Sequence, residues 1–216
     1  MRVGIIIPDR NDRPDFLSNC LRMIYSQTLI PYHVEIVNDW PKSEKCDITY
    51  RYRIGYDRLR DKNLDVIALI ENDDWYANNY LETMAKYWIR EEKPNLLGLD
   101  HTVYYNIRLF AHFTMFHSTR SSAMNTLIKP DLEFDWGHDE NPYADVHIWN
   151  VLKGKIMVPE KEICLGIKHG VGKCGGQSHT CHLSRYINKD DDKIFLKKIM
   201  DKASFEFYSN YFQLTS

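Results

Sequence analysis

The chain has 216 residues, with 28 Lys and Arg against 30 Asp and Glu and a formal net charge of −2. That length suits one domain with a sizeable core, and the near balance of charge excludes a protein held mainly by non-specific attraction to nucleic acid. Five cysteines, an odd number, read as reduced thiols and not as a disulfide framework. No apolar run approaches the ~20 residues that span a bilayer, and the short apolar N-terminus lacks a signal-peptide cleavage site. These features point to a cytoplasmic protein with at most peripheral membrane contact.

Val3 to Ile7 is a short apolar run ended by Pro8, the pattern of a buried strand. Pro14 suits the first turn of a helix, with Asn11 or Asp12 as N-cap. Leu17, Leu21 and Ile24 at i, i+4 and i+7 carry that helix to about Gln27. His33 to Val37 is a second strand. A short strand around Ile48 to Tyr52 and a short charged helix over Tyr56 to Lys62 follow. Val66 to Ile70 is the next strand. Leu81, Met84, Ala85 and Trp88 share one helical face, stopped before Pro94, and Leu96 to Leu99 returns as a strand.

This alternation over about 100 residues predicts an α/β fold with a doubly wound, mainly parallel sheet flanked by helices. Farther on, Val103 to Phe116 reads as hairpin strands and Ser118 to Leu127 carries a short helix. Asp145 to Leu152 forms a helix and Lys155 to Val158 a last strand. Residues 166–182 form a glycine- and histidine-rich loop, and from Asp191 the tail is one amphipathic helix facing inward with Leu196, Met200, Ala203 and Phe207. The expectation is a single domain over 1–216: a nucleotide-binding half (1–100), an acceptor or catalytic half (101–190) and a C-terminal helix (191–216).

The most informative stretch is Val66-Ile67-Ala68-Leu69-Ile70-Glu71-Asn72-Asp73-Asp74-Trp75. Ligands of open α/β sheets bind beyond the carboxyl ends of the strands, where these three carboxylates fall. Such a cluster suits a hard divalent cation, which in turn suits a phosphorylated ligand. A solvated turn capping the next helix, with Asp74 as the cap, is the plainer alternative.

Over residues 3–170 the order and spacing of motifs resemble the GT-A nucleotide-sugar glycosyltransferases, in particular their family 2-like branch. Val3 to Asn11 resembles the opening strand and nucleotide-binding turn, Leu21 with Gln27-Thr28 the following helix, and Ile36-Val37-Asn38-Asp39 the second strand. Glu71 to Tyr76 sits where that family has its acidic metal motif, Tyr143 to Trp149 where it has its catalytic base, and Ile167 to Gly172 where it has a late histidine-bearing loop. Glu71 in place of the usual first Asp, and Ala144 in place of the Glu before the base, depart from the pattern.

The resemblance implies a donor site for a nucleoside-diphosphate sugar lined by Pro8, Asp9, Arg10, Asp39, Arg58, Glu71, Asn72, Lys168 and Lys173. It implies Mn²⁺ or Mg²⁺ held by Asp73, Glu71 and His169, since a diphosphate leaves readily only when its growing charge is neutralised. Asp145 is the implied general base, with Asp139 a rival a few residues away. The expected activity is metal-dependent transfer to an acceptor hydroxyl with inversion, although the fold hosts both stereochemical outcomes. The acceptor is a glycan, a glycolipid or, less in keeping with the family, a modified nucleic acid. Lysines 193, 197, 198 and 202 of the tail face such an acidic acceptor or plain solvent.

Three alternatives stand beside this one. A GT-A-fold protein that binds nucleotide or glycan without transfer would fit the Ala144 departure. A nucleotidyltransferase would share the sheet and carboxylates but needs a Gly-rich phosphate loop where Pro8-Asp9-Arg10-Asn11 stands. His169, Cys174, His179, Cys181 and His182 contain zinc-ligand types, at spacings that match no standard zinc motif.

Overall fold

The computed structural model describes residues 1–39, 45–173 and 182–214. Its main sheet has six strands in the order β2 (His33–Val37), β1 (Val3–Pro8), β3 (Val66–Leu69), β8 (Leu127–Ile128), β5 (Leu96–Leu99) and β9 (Gly154–Met157). β1 pairs in parallel with β2 and β3, β5 pairs in parallel with β9, and β8 is antiparallel to the two strands it separates, β3 and β5. A second sheet of five strands runs β11 (Asn188–Lys189), β7 (Ala111–Phe116), β6 (His101–Asn106), β10 (Cys164–Lys168) and β4 (Trp75–Tyr76).

Strands β1 and β3 are buried on both faces, as their unbroken apolar runs require. Successive side chains sort into two layers because a strand alternates faces. Ile5, Ile7, Val66 and Ala68 pack with Phe16, Cys20 and Met23 of α1 (Pro14–Tyr25) and with Leu81, Met84 and Trp88 of α3 (Tyr80–Arg90). Ile6, Ile67 and Leu69 pack with Tyr52, Tyr56 and Leu59 of α2 (Ile48–Leu59) and with Ile148 and Trp149 of α4 (Ala144–Val151). The C-terminal helices α5 (Ile194–Ile199) and α6 (Lys202–Leu214) join the first layer through Leu196, Tyr208 and Tyr211. Among the described residues no helix is long and apolar enough to cross a membrane.

The predicted α/β sheet and the hairpin of β6 with β7 are present, and several local expectations are corrected. The short strand near 48–52 and the helix at 56–62 are one helix, α2, whose buried Thr49, Tyr52, Tyr56 and Leu59 recur at helical spacing. In α1 the buried face is Phe16, Cys20, Met23 and Ile24, with Leu17 and Leu21 half-buried beside it, and neither Asn11 nor Asp12 is its cap: Arg13 holds that position. The segment 118–127 carries only a 3-10 turn, Ala123–Asn125, before β8 enters the sheet. Residues 166–168, expected at the start of the glycine- and histidine-rich loop, belong to β10.

The tail is two helices. Met200 is extended, and Asp201 then caps α6 by accepting the Ser204 backbone N–H at 3.0 Å. This break shifts the helical phase, so Ser204 and Tyr208 are buried, while Ala203 is exposed and Phe207 half-buried.

Gly55 allows α2 to lie close on the sheet: a Cβ there would overlap Ile6 and crowd Val37. Gly55→Ala is expected to cost about 1–3 kcal/mol through overpacking, read as a lower denaturant midpoint at unchanged slope.

His101 staples the β5–β6 corner to the loop before β10, with Nδ1 2.6 Å from Asp100 Oδ1 and Nε2 3.0 Å from Glu162 Oε1. The Glu162 hydrogen bond, helped by Asp100 and opposed by burial, raises its pKa from 6.5 to about 9. Because the folded value is raised, the staple's contribution is complete below pH 6.5 and is lost as pH rises through about 9. Thermal melts from pH 6 to 9.5 should show a loss of roughly 1–2 kcal/mol across that window, and a smaller loss in His101→Gln.

Candidate active site

A cavity of about 380 Å³ opens beyond the carboxyl ends of β1 and β3, between the main sheet, the second sheet and the start of α4. Its floor is the acidic turn that leaves β3. Glu71, Asp73 and Asp74 offer carboxylate oxygens within 4.8 Å of one another. Asp74 Oδ1 accepts the Ile167 backbone N–H at 2.7 Å, which ties the turn to β10, while its Oδ2 is buried without a hydrogen-bond partner. The turn is held from below by α6, where the Tyr208 hydroxyl donates to the backbone carbonyls of Asp73 (3.3 Å) and Asp74 (3.0 Å).

Asp73 is the centre of a buried network. Its Oδ2 is met by Arg13 Nη1, and His169 Nε2 lies 2.8 Å from the same oxygen. Arg13 Nη2 donates to Asn72 Oδ1 at 2.9 Å, and Asn72 Nδ2 donates to Asp9 Oδ1 at 2.8 Å. His169 is fully buried and packs on Phe16 with ring centroids 4.3 Å apart.

Burial sets the electrostatics of the floor. It pushes Glu71 up to about 7, with Asp73 and Asp145 adding to the rise and Lys168 and Arg13 opposing it. It raises Asp74 well above the carboxylate range, reinforced by Glu71 and Asp73. Burial also disfavours the Lys168 ammonium, yet Asp74 and Glu71 more than offset it, so its pKa lies above the ordinary lysine value. Lys168 Nζ sits 5.0 Å over the Tyr104 ring.

At one end of the cavity Arg10 Nη1 pairs with Asp47 Oδ1 at 2.6 Å, and Arg51 Nη2 with Asp47 Oδ2 at 2.9 Å. Arg51 also donates to the Val37 and Asp39 carbonyls, which locks α2 to the end of β2. Across from the acidic turn, Asp145 in the first turn of α4 pairs with Arg120. Burial raises the Asp145 pKa, and Arg120 holds it down in part. Tyr104, Phe113, Met115, Tyr143 and Tyr186 form an aromatic and apolar wall, with Arg185 and His182 at its edge.

Of the residues singled out in the sequence, Pro8, Arg10, Glu71, Asn72, Asp73, Asp145 and Lys168 line this one cavity. Asp9 and His169 lie behind it as buried partners of Asn72 and Asp73. The others fall elsewhere. Asp39 and Arg58 are exposed and pair with each other at 2.5 Å, Arg58 also reaching Glu35. Asp39 is displaced because Asp47 at the start of α2, not the end of β2, reaches the cavity. Asp139 forms a two-pronged pair with Arg53 at 3.0 Å on both arms, outside the cavity lining. Lys173 is exposed, its backbone N–H donating to Asp12. The alternative zinc set includes Cys174, His179 and Cys181, which lie outside the described residues.

Arg13, Asp47, Arg51, Arg120 and Tyr208 were not legible as site residues. Arg13 stands one residue before a helix proline and Asp47 two before a helix's second residue, positions that carry no chemistry in the sequence alone. Arg120 and Tyr208 come from segments about 45 and 135 residues beyond the acidic turn.

No protein-family model matches the chain, and no curated protein does. Solved structures match it. TarS of S. aureus, residues 1–349 in complex with UDP-GlcNAc, superposes with a TM-score of 0.51 at 10% identity, over 99% of this chain and 72% of that one. TarS 1–349 alone gives 0.48 at 13% identity over 77% of this chain, and the longer TarS structure 0.47 at 14% over 77%. This chain spans 60% and 37% of the length of those two. The first superposition carries the fold: the chain has a GT-A fold and resembles the family 2 GT-A glycosyltransferases in architecture.

Tyr208→Phe removes the hydroxyl that satisfies two carbonyls of the acidic turn. It is expected to cost about 1–2 kcal/mol, measured by chemical denaturation.

Proposed function

We propose that the chain is a metal-dependent glycosyltransferase that moves a sugar from a nucleoside-diphosphate donor to an acceptor hydroxyl with inversion. The observation that carries this reading is one cavity with an acidic floor at the carboxyl ends of a parallel sheet and Asp145 opposite it. The fold likeness to TarS, solved with UDP-GlcNAc, supports a UDP-sugar as the donor.

The residues fit a divalent cation. Three carboxylates converge, and one buried oxygen, Asp74 Oδ2, has no hydrogen-bond partner. Glu71, Asp73 and Asp74 would hold Mn²⁺ or Mg²⁺, hard cations that take carboxylate oxygens. Bound there, the ion would supply positive charge for the diphosphate leaving group.

The chain's own residues do the rest. Pro8, Arg10 and Asp47 shape the nucleoside end, with Asp47 fixed by two guanidiniums. Lys168, kept charged by the neighbouring carboxylates, offers a second positive group to the diphosphate. The aromatic wall offers faces on which sugar rings can stack.

Asp145 takes the proton of the acceptor hydroxyl. That oxygen bonds to the anomeric carbon as the bond to the diphosphate oxygen breaks, and the nucleoside diphosphate departs with the electron pair. Arg120 orients Asp145 and favours its ionised form.

Calorimetry with UDP, GDP, TDP and CDP, in Mn²⁺ and in EDTA, tests the donor site. UDP is expected to bind with Mn²⁺ and to lose at least about tenfold in affinity in EDTA or in Asp73→Asn. Asp145→Asn should keep UDP affinity within about twofold and lower kcat by ~10²–10⁴. A chain that binds UDP and never turns over a donor sugar is a binding module. Absence of nucleotide binding overturns the reading entirely.

A further inference from the structure

His169 presents its two ring nitrogens to different partners. Nδ1 accepts the Val171 backbone N–H at 3.0 Å. A backbone amide can only donate, so Nδ1 holds the lone pair, and in a neutral ring the hydrogen is on Nε2. Nε2 lies 2.8 Å from Asp73 Oδ2, the arrangement of a donor facing a carboxylate. The ring is fully buried and packed on Phe16.

This arrangement conflicts with ligation of a cation by His169. Ligation through Nε2 would require the hydrogen on Nδ1, where it would meet the Val171 N–H across 3.0 Å. Arg13 Nη1 also lies 3.3 Å from Nε2, and because a guanidinium can only donate, the Nε2–H finds its acceptor in the nearer Asp73 Oδ2. Both groups converge on a single oxygen of Asp73.

We propose that His169 is a positioning residue and not a metal ligand: with Arg13 it holds Asp73 Oδ2, through an Nε2–H fixed by the Val171 amide, and so orients the carboxylate toward the cavity. The cation is then held by oxygen atoms of Glu71, Asp73 and Asp74. This last part rests on the function proposed above; the state of the His169 ring does not.

The test is a long-range ¹H–¹⁵N correlation spectrum of the full chain labelled on histidine, recorded without metal and then with Mg²⁺ and UDP. His169→Gln, or His169→Asn if that variant fails to fold, identifies the His169 signal by its loss. The expected pattern is a protonated Nε2 and an unprotonated Nδ1 in both states. A protonated Nδ1 in either state overturns the proposal, because it frees Nε2 to bind the ion.

Affinity gives a second readout. Glutamine can still donate to Asp73, so His169→Gln should keep Mg²⁺-dependent UDP affinity within about threefold, while His169→Ala loses about tenfold or more. Equal losses in the two folded variants overturn the positioning role. If calorimetry finds no binding of Mg²⁺ or UDP to the wild-type chain, the proposed function fails, and the metal-free spectrum still decides the His169 ring.

Discussion

Asp73 places a carboxylate at only 5% exposure beneath the cavity, and an ionised group in that position must be paired where it sits. Arg13 and His169 meet one of its oxygens, and Asn72 with Asp9 completes the chain of contacts back to β1. Each partner arrives from a different element: the start of α1, the segment after β10, the turn after β3 and the end of β1. The pairing therefore fixes four chain segments relative to one another at the mouth of the sheet. Removing Arg13 would leave Asp73 an uncompensated buried charge, a loss on the order of 3–5 kcal/mol in comparable buried pairs.

The same logic organises the rest of the cavity. Asp47 is held between Arg10 and Arg51, Asp145 faces Arg120, and Lys168 sits among Glu71 and Asp74. Carboxylates and cations alternate around the lining, so each side chain has a fixed direction before any ligand arrives. Such preorganisation is what a reaction that develops charge on a leaving diphosphate would use. The excess of acid is concentrated in the turn after β3, where Glu71 and Asp74 have pKa values raised by burial. A cation there would relieve that strain, and this is the physical link between the geometry and the proposed metal dependence.

The C-terminal helices extend the support beneath the site. Tyr208 satisfies two carbonyls of the acidic turn, and Phe207 and Tyr211 pack with Phe16, which itself lies against His169. The aromatic residues of the tail thus contribute to the rigidity of a site that none of them lines.

The apolar runs at 3–7, 66–70 and 96–99 marked the buried strands of the mainly parallel sheet by themselves, because a strand buried on both faces must be apolar throughout. The acidic turn at its carboxyl end was equally plain, since Glu71, Asp73 and Asp74 are adjacent in the chain. Local periodicity erred where helical phase depended on a break, as at Met200–Asp201, or where polar residues hid a helix, as in α2. Only the tertiary structure decided which charges meet. Asp39 and Asp47 are both acidic residues near the second strand, yet only Asp47 reaches the cavity, because α2 turns it inward toward Arg10 and Arg51. Arg13 and Arg120 became site residues for the same reason. Ion pairing depends on distance in space, and their partners lie 60 and 25 residues away along the chain.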